Sequence, residues 1–426
     1  MVELFQREYF MKLSEELKER GFIHQYTAET LTEIIDGEKK VVYHGVDPTA
    51  DSIHAGNFVQ FMMLRHLIDG GHKVVLLIGG GTGMIGDPKP DVERPITPPE
   101  VVAQRVDKLK VQAQKLFGGV EVEFVNNFDW LGSLNLIEFL RETGKHFTVN
   151  ELIKKDAIAT RLAGESGLSY TEFAYPLLQA YDYLNLYRNY GCNVQTGGSD
   201  QWGNIVAGVD LIRRKEKEAV HAITVPLVVD KASGKKFGKS EGNAVWLDAE
   251  KTSPYAFYQF WLNTSDESVI DYMKLFTTLS LEEIADIEKE FSANPGQRSA
   301  QKILAQQVTT LVHGEETARA VERVSASLFG EVALSDLSEA EIQMIRENVP
   351  TYKTKHYATI VDVLVGSGLA SSNREARTFI ESGAVMVNER KVSSADFIFG
   401  DSESDFDKYA LLKRGKKKYC FIELGQ

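Results

Sequence analysis

Two short stretches, far apart in the chain, carry the side chains best suited to handling a phosphate. The first is Asp47-Pro48-Thr49-Ala50-Asp51-Ser52-Ile53-His54-Ala55-Gly56-Asn57. It falls between a predicted strand and a predicted helix, at the carboxyl edge where open parallel sheets bind nucleotides. A helix start presents unpaired backbone N–H groups and a positive dipole end to a phosphate. Gly56 has no side chain and lets a flat base approach the backbone, while His54 and Asn57 offer donors that follow an α-phosphate as it becomes pentacoordinate. By itself the segment reads more readily as a capped helix with an incidental histidine. The second stretch is Lys236-Phe237-Gly238-Lys239-Ser240, in a run that also holds Gly234 and Gly242. Two ammonium groups on a glycine-rich loop suit a leaving pyrophosphate, and they act most strongly as charge builds up in the transition state. Alone it is a solvated basic turn. The pair together, one nucleotide-binding domain apart, points to adenylation chemistry.

Further polar residues lie between the two. Tyr175, Gln179 and Asp182 are spaced i, i+4 and i+7, which places them on one face of a helix too polar for a core stripe. The run Gly79-Gly80-Gly81-Thr82-Gly83-Met84-Ile85-Gly86-Asp87-Pro88 reads as a tight loop after a buried strand. Gly197-Gly198-Ser199-Asp200-Gln201 precedes another helix, which Asp200 is suited to cap.

The elements that must position these groups follow from hydrophobic patterning. Apolar β-rich runs at 41–43, 73–78, 121–125, 192–195 and 223–229 alternate with amphipathic stretches at 56–70, 99–116, 170–187 and 199–215. This is the signature of βαβ units feeding a parallel sheet. From 253 to 345 the β-rich runs vanish and apolar residues recur at three- and four-residue spacing, which predicts helices. Beyond Pro350, two short helices at 358–366 and 373–381 precede a β-like run, Ala384-Val385-Met386-Val387. The expected fold class is α/β: a Rossmann-like parallel-sheet domain (1–245), an α-helical domain (246–349), and a linker with a small α+β domain (350–426).

Composition is that of a folded globular chain, with 43% hydrophobic and 26% charged residues. The N-terminus lacks a signal-peptide pattern and no apolar run approaches membrane length, so a cytoplasmic protein without a membrane partner is expected. Two cysteines, Cys192 and Cys420, are too few and too far apart for a disulfide framework or a zinc knuckle. Free thiols and no structural metal are expected. The net charge of −13 is unevenly spread: residues 351–426 hold 12 Lys and Arg against 10 Asp and Glu, so this tail is +2 and the remainder −15. The tail is the part suited to a polyanion.

The two phosphate-handling stretches resemble the HIGH and KMSKS signatures of class I aminoacyl-tRNA synthetases. The blocks between them resemble the bacterial tyrosyl branch: Tyr43-x-Gly45-x-Asp47-Pro48-Thr49-Ala50-Asp51, the Gly79–Pro88 run, Tyr175-x-x-x-Gln179-x-x-Asp182 and Gly197-Gly198-Ser199-Asp200-Gln201-Trp202-Gly203-Asn204. The resemblance covers nearly the whole chain and implies activation of L-tyrosine by ATP, with Mg²⁺ carried by ATP, followed by transfer to tRNA. It implies catalytic roles for His54, Asn57, Lys236, Lys239 and Ser240. Tyrosine binding is implied for Tyr43 and Asp182 at the phenol, Tyr175, Gln179 and Asp87 at the ammonium end, and Gln201. ATP contacts are implied for Gly45, Asp47, Thr49, His54, Gly56, Gly198, Asp200 and Lys239. A homodimer is implied as well. The signatures depart from the common pattern at Ala55, Asn57, Phe237 and Gly238, and the loop after Asp87 lacks the usual Ser-Gly-Lys run, which leaves open whether Lys89 or Arg94 reaches pyrophosphate. Residues 367–388 resemble the RNA-binding module shared with ribosomal protein S-four. There Arg374 and Arg377 lie one helical turn apart, and the cluster at 413–418 adds Lys416 and Lys417. Two rivals stand beside this reading: a tryptophanyl-tRNA synthetase or small-molecule nucleotidylyltransferase, and an RNA-binding protein on a non-catalytic synthetase scaffold.

Overall fold

Each apolar run of the amino-terminal half forms a strand of a single sheet in the computed structural model, which describes residues 11–88, 97–164, 167–231, 234, 237–240, 243–388, 390–399, 408–415 and 418–425. The strands are β1 (Gln25–Tyr26), β2 (Val41–Val46), β3 (Lys73–Ile78), β4 (Glu123–Asn126), β5 (Val194–Gly198) and β6 (His221–Val225), in the order β1-β6-β5-β2-β3-β4. All neighbours run parallel except β1, which closes the edge antiparallel to β6. β1 is two residues long and carries no apolar run, so patterning could not reveal it. Central strands buried on both faces need continuous apolar side chains, and β3 supplies five buried residues in succession.

The expected helices are present as α1 (Ala55–Asp69), α2 (Pro99–Leu116), α3 (Tyr170–Tyr190) and α4 (Trp202–Glu216). α3 starts where the Ser169 side chain accepts the Glu172 N–H and stops at Gly191, whose φ of 70° is a left-handed conformation that glycine adopts without strain. α4 is preceded by a turn of 3₁₀ helix (Ser199–Gln201), and Asp200 caps neither element, because Gly198 and Gln201 occupy the cap positions. One face of the sheet packs Tyr43, Val75, Leu77 and Val125 against Ala180, Tyr183 and Leu184 of α3. Phe58, Phe61, Met62 and Met63 of α1 are also buried, each contributing roughly 1.5–3 kcal/mol of hydrophobic stabilisation.

Contacts group the chain into two compact units, Met1–Lys251 with Asn263–Leu304, and Thr252–Leu262 with Ala305–Gln426. The helical stretch expected as one middle domain is therefore shared out. The reason lies in where the apolar stripes are buried. α5 (Val269–Phe276) stacks Phe276 on Phe58 of α1, with ring centroids 5.7 Å apart, inside the first unit. In the second unit, Phe257 of the helix Pro254–Leu262 meets His313 edge-on at 4.9 Å, and Gln259 bonds Ser325.

The second unit also contains a five-stranded sheet made of β7 (Thr351–Lys355), β8 (Val385–Val387), β9 (Arg390–Lys391), β10 (Tyr409–Arg414) and β11 (Lys418–Gly425), ordered β9-β8-β10-β11-β7. Helices α6 (Ile360–Gly366) and α7 (Asn373–Glu381) cover it, and its core runs from Ile360 and Leu364 to Phe399, Leu412 and Ile422. The expected helices and β8 are found. The basic run expected as a tail is instead partly strand, with Lys413 and Arg414 ending β10 and Lys418 opening β11. Among the described residues no helix is long and apolar enough to cross a membrane. Both cysteines are free and buried.

Candidate active site

A cavity of about 220 Å³ opens where β2 and β5 lie side by side, at their carboxyl ends. From β2 the chain proceeds outward to β3 and β4 on one side, and β5 and β6 fill the other, so this is the switch point of the sheet. Tyr43, Gly45, Asp47 and Thr49 line it from β2 and the turn that follows, Asn57 and Gln60 from α1, and Thr82 and Asp87 from the glycine run. Tyr175, Gln179 and Asp182 enter from α3, and Gln195, Gly198, Asp200 and Gln201 from β5 and its turn. The helix face read from spacing thus looks into the same space as the sheet edge.

One end of the cavity is organised around Asp182, which is 2% exposed. Its Oδ2 accepts from Asn127 Nδ2 at 2.9 Å and its Oδ1 from Trp130 Nε1 at 2.7 Å. Burial pushes its carboxyl up to about 7, against the pull of those two donors and with the charge of Asp47 adding to the rise. Tyr43 is 1% exposed, and burial followed by the charge of Asp182 holds its phenol well above the usual range, so it remains a neutral hydroxyl. An acceptor carboxylate and a hydroxyl facing one cavity suit a ligand hydroxyl that must both donate and accept.

A second group of polar contacts surrounds Asp47 and Asp87. Tyr175 Oη donates to Asp47 Oδ2 at 2.7 Å, and Thr82 Oγ1 donates to Asp47 Oδ1 at 2.7 Å. Asp47 was expected among the nucleotide contacts. It lines the cavity, and each of its oxygens accepts from a protein hydroxyl, which anchors Tyr175 and leaves further lone pairs on the carboxylate. Asp87 accepts from Gln201 Nε2 at 2.8 Å and Asn204 Nδ2 at 3.1 Å. Gln179 Oε1 is buried without a partner among the described residues, a costly state that a ligand N–H would relieve. Sequence reasoning missed Asn127, Trp130, Gln60 and Gln195. Asn127 and Trp130 follow β4 with no motif to mark them, although a buried carboxylate at Asp182 requires donors from somewhere.

The two signature stretches meet through their glycines. Gly238 has φ +88°, and a Cβ built on it would lie 2.5 Å from the backbone nitrogen of Gly56. The Gly238 carbonyl accepts from Val245 N–H, and the Val245 carbonyl accepts from Ala55 N–H at 2.8 Å. That first N–H of α1, expected to face a phosphate, is thus engaged by the chain that follows the second signature. His54 is the cap residue of α1 but makes no side-chain cap bond; its ring stands edge-on to Trp246 at 5.8 Å. His54 and Gly56 are therefore placed at the signature contact, outside the lining of the cavity. Phe237 is buried between Tyr272 and Phe276 of α5, at 4.7 and 5.0 Å. Lys239 and Ser240 form a short strand with Asn243–Ala244, while Lys236, Lys89 and Arg94 lie outside the described residues. Gly238→Ala is expected to lower adenylation about tenfold, because a left-handed alanine costs roughly 1–2 kcal/mol before the clash with Gly56 is added. Pyrophosphate exchange and circular dichroism on the same sample check this: activity should fall with the fold intact.

In the second unit Arg374 and Arg377 are both exposed on α7, and Arg414 lies over the Phe379 ring at 4.6 Å. Lys416 and Lys417 lie outside the described residues.

The family model for tRNA synthetases class I (W and Y) matches residues 36–330, more than half of the chain. The chain belongs to the class I tRNA synthetases. A second family model, the tyrosine–tRNA ligase SYY-like C-terminal domain, matches residues 341–422 of this synthetase. It is 46% identical to the tyrosine–tRNA ligase of Chromobacterium violaceum over 418 residues, 96% of this chain and 98% of that protein. Tyrosine–tRNA ligase 2 of Enterococcus faecalis is likewise 46% identical, with the same coverage. Among solved structures, a C-terminally truncated mitochondrial tyrosyl-tRNA synthetase of Aspergillus nidulans superposes with a TM-score of 0.68 at 32% identity, covering 75% of this synthetase and 94% of that chain. A tryptophanyl-tRNA synthetase of Encephalitozoon cuniculi, at 14% identity and a TM-score of 0.53, shares the fold.

Proposed function

We infer that this chain is a tyrosine–tRNA ligase that activates L-tyrosine with ATP to tyrosyl-adenylate and pyrophosphate, then passes the tyrosyl group to the 3′ end of its tRNA. The observation that carries the choice of tyrosine is the buried Asp182 carboxyl facing the same cavity as the Tyr43 hydroxyl. An indole offers one N–H and no acceptor, and would leave the Tyr43 proton without an acceptor in the cavity.

The tyrosine carboxylate is the nucleophile on the α-phosphate, so no protein nucleophile is needed. The protein positions the two substrates and stabilises developing charge. Tyr175, Gln179 and Asp87 are assigned to the ammonium end, with Asp47 holding Tyr175, and Gln201 to the adjoining part of the substrate. Gly45, Thr49, Gly56, Gly198 and Asp200 are assigned to ATP; His54 and Asn57 act at its phosphates, and Lys236, Lys239 and Ser240 at the leaving pyrophosphate. Mg²⁺ enters on the ATP phosphates and would screen their charge.

Residues 1–245 are assigned to adenylation, the helices of 246–349 to the anticodon arm, and residues 350–426 to the RNA backbone through Arg374 and Arg377, with Lys416 and Lys417. A homodimer is supported by large apolar side chains left exposed in one 35-residue stretch, among them Leu136, Ile137, Val149, Leu162 and Tyr170. The cytoplasm, where free tRNA is charged, is the assigned compartment. ATP–pyrophosphate exchange with each amino acid in turn tests the assignment. Tyrosine alone should drive it; exchange driven by tryptophan, or by no amino acid, would overturn it.

A further inference from the structure

We propose that Gln195 sets the direction of the hydrogen bond between Tyr43 and the substrate hydroxyl, and thereby acts as a positioning residue for tyrosine selection. The proposal rests on the tyrosine reading above and extends it to a residue that no motif marks.

Tyr43 and Gln195 are paired across the parallel strands β2 and β5, so their side chains leave the sheet on the same face. Gln195 Nε2 donates to Tyr43 Oη at 2.9 Å in a fully buried contact. A hydroxyl has one proton and two acceptor lone pairs. Because Tyr43 accepts from Gln195, it does not spend its proton on that neighbour and keeps it for the cavity that both residues line.

The proton count at the far end of the cavity depends on this. Each Asp182 oxygen already accepts one bond, from Asn127 or Trp130, and the carboxylate has lone pairs left for a further donor. A substrate phenol gives its single proton to Asp182, after which its oxygen needs a donor. Tyr43 supplies it only while Gln195 does not take the Tyr43 proton. With the amide reversed, Gln195 Oε1 would take the Tyr43 proton and the phenol oxygen would face no donor. Gln195 Oε1 is itself buried without a partner among the described residues, which leaves it for a donor that arrives with the ligand. Phenylalanine brings no hydroxyl, so its activation is indifferent to the direction of this bond.

The test is pyrophosphate exchange with tyrosine and with phenylalanine, on Gln195→Glu and Gln195→Met, each made in the natural background and in Tyr43→Phe. Glutamate keeps the shape but accepts the Tyr43 proton; methionine removes the donor without adding charge. Glutamate should lower the ratio of kcat/KM for tyrosine over phenylalanine by about tenfold or more, the equivalent of one buried hydrogen bond, and methionine, which does not take the Tyr43 proton, should lower it much less. In Tyr43→Phe neither should lower it further. Equal losses for tyrosine and phenylalanine, or the same loss of selectivity in both backgrounds, would mean that Gln195 is merely structural and overturn the proposal, as would unchanged selectivity in Gln195→Glu. Failure of the tyrosine reading is distinguishable, because it shows in the unsubstituted enzyme as exchange driven by tryptophan or by no amino acid, and it would take this proposal with it.

Discussion

Asp182→Ala is expected to lower kcat/KM for tyrosine in pyrophosphate exchange by about 10³-fold while leaving phenylalanine near its original rate. The substitution removes the acceptor of the substrate proton and also strands the Asn127 and Trp130 donors, which bond Asp182 at 2.9 and 2.7 Å. Each unpaired buried group costs roughly 1–3 kcal/mol. Only tyrosine has a hydroxyl to lose, so the ratio of the two substrates is the informative readout. Unchanged selectivity would mean that the specificity pocket lies elsewhere.

The same residue sets a pH dependence. In the free protein its carboxyl is raised by burial to about 7, so below that pH it carries a proton and is a weaker acceptor for the tyrosine hydroxyl. Tyrosine affinity should therefore fall as pH drops below 7, and Asp182→Asn should abolish that slope. For stability the sign runs the other way. Between the ordinary carboxyl value of 3.8 and about 7 the folded chain holds a proton that the unfolded chain has lost. That contribution is complete below 3.8 and is lost as pH rises through 7, so part of the stability at low pH is exchanged for binding competence at neutral pH.

Deleting residues 350–426 is expected to leave adenylation within about twofold and to reduce transfer to tRNA by about 100-fold or more. All five strands of the second sheet and its apolar core lie between Thr351 and Gly425, so the deletion removes the sheet whole, although it divides the second unit and breaks the Arg346–Glu423 pair, and circular dichroism on the truncated chain checks that the rest stays folded. It also removes the exposed Arg374 and Arg377, along with the basic residues at 413–418. Phosphate contacts bind by releasing counterions, and the salt dependence of RNA binding should become shallower in the truncated chain. Exchange and tRNA charging measured on one preparation decide this; equal loss of both steps would count against the proposed division of labour.

The elements that patterning revealed were those with strong apolar periodicity. The buried β3 and the helix Pro99–Leu116 fall where their sequences place them. β7, with alternating half-buried and exposed residues Thr-Tyr-Lys-Thr-Lys, and the two-residue β1 escaped because edge strands need little apolar side chain and draw their order from a neighbour's hydrogen bonds. The division of the helical stretch between two units escaped for a related reason: periodicity says that a helix has an apolar face, but not which body covers it.

The site shows the same boundary. Sequence alone determined that Tyr175, Gln179 and Asp182 share a helix face and that two phosphate-handling stretches coexist, because both facts follow from local spacing and residue chemistry. The tertiary structure decided that Asp47 is occupied by Tyr175 and Thr82, that Gly238 rests on Gly56, and that Asn127, Trp130 and Gln195 complete the phenol end. These are contacts between residues tens to more than a hundred positions apart. Neither their geometry nor the burial that raises the Asp182 carboxyl is written in any local stretch of chain; both come into being only when the sheet and α3 enclose the cavity and exclude water from it.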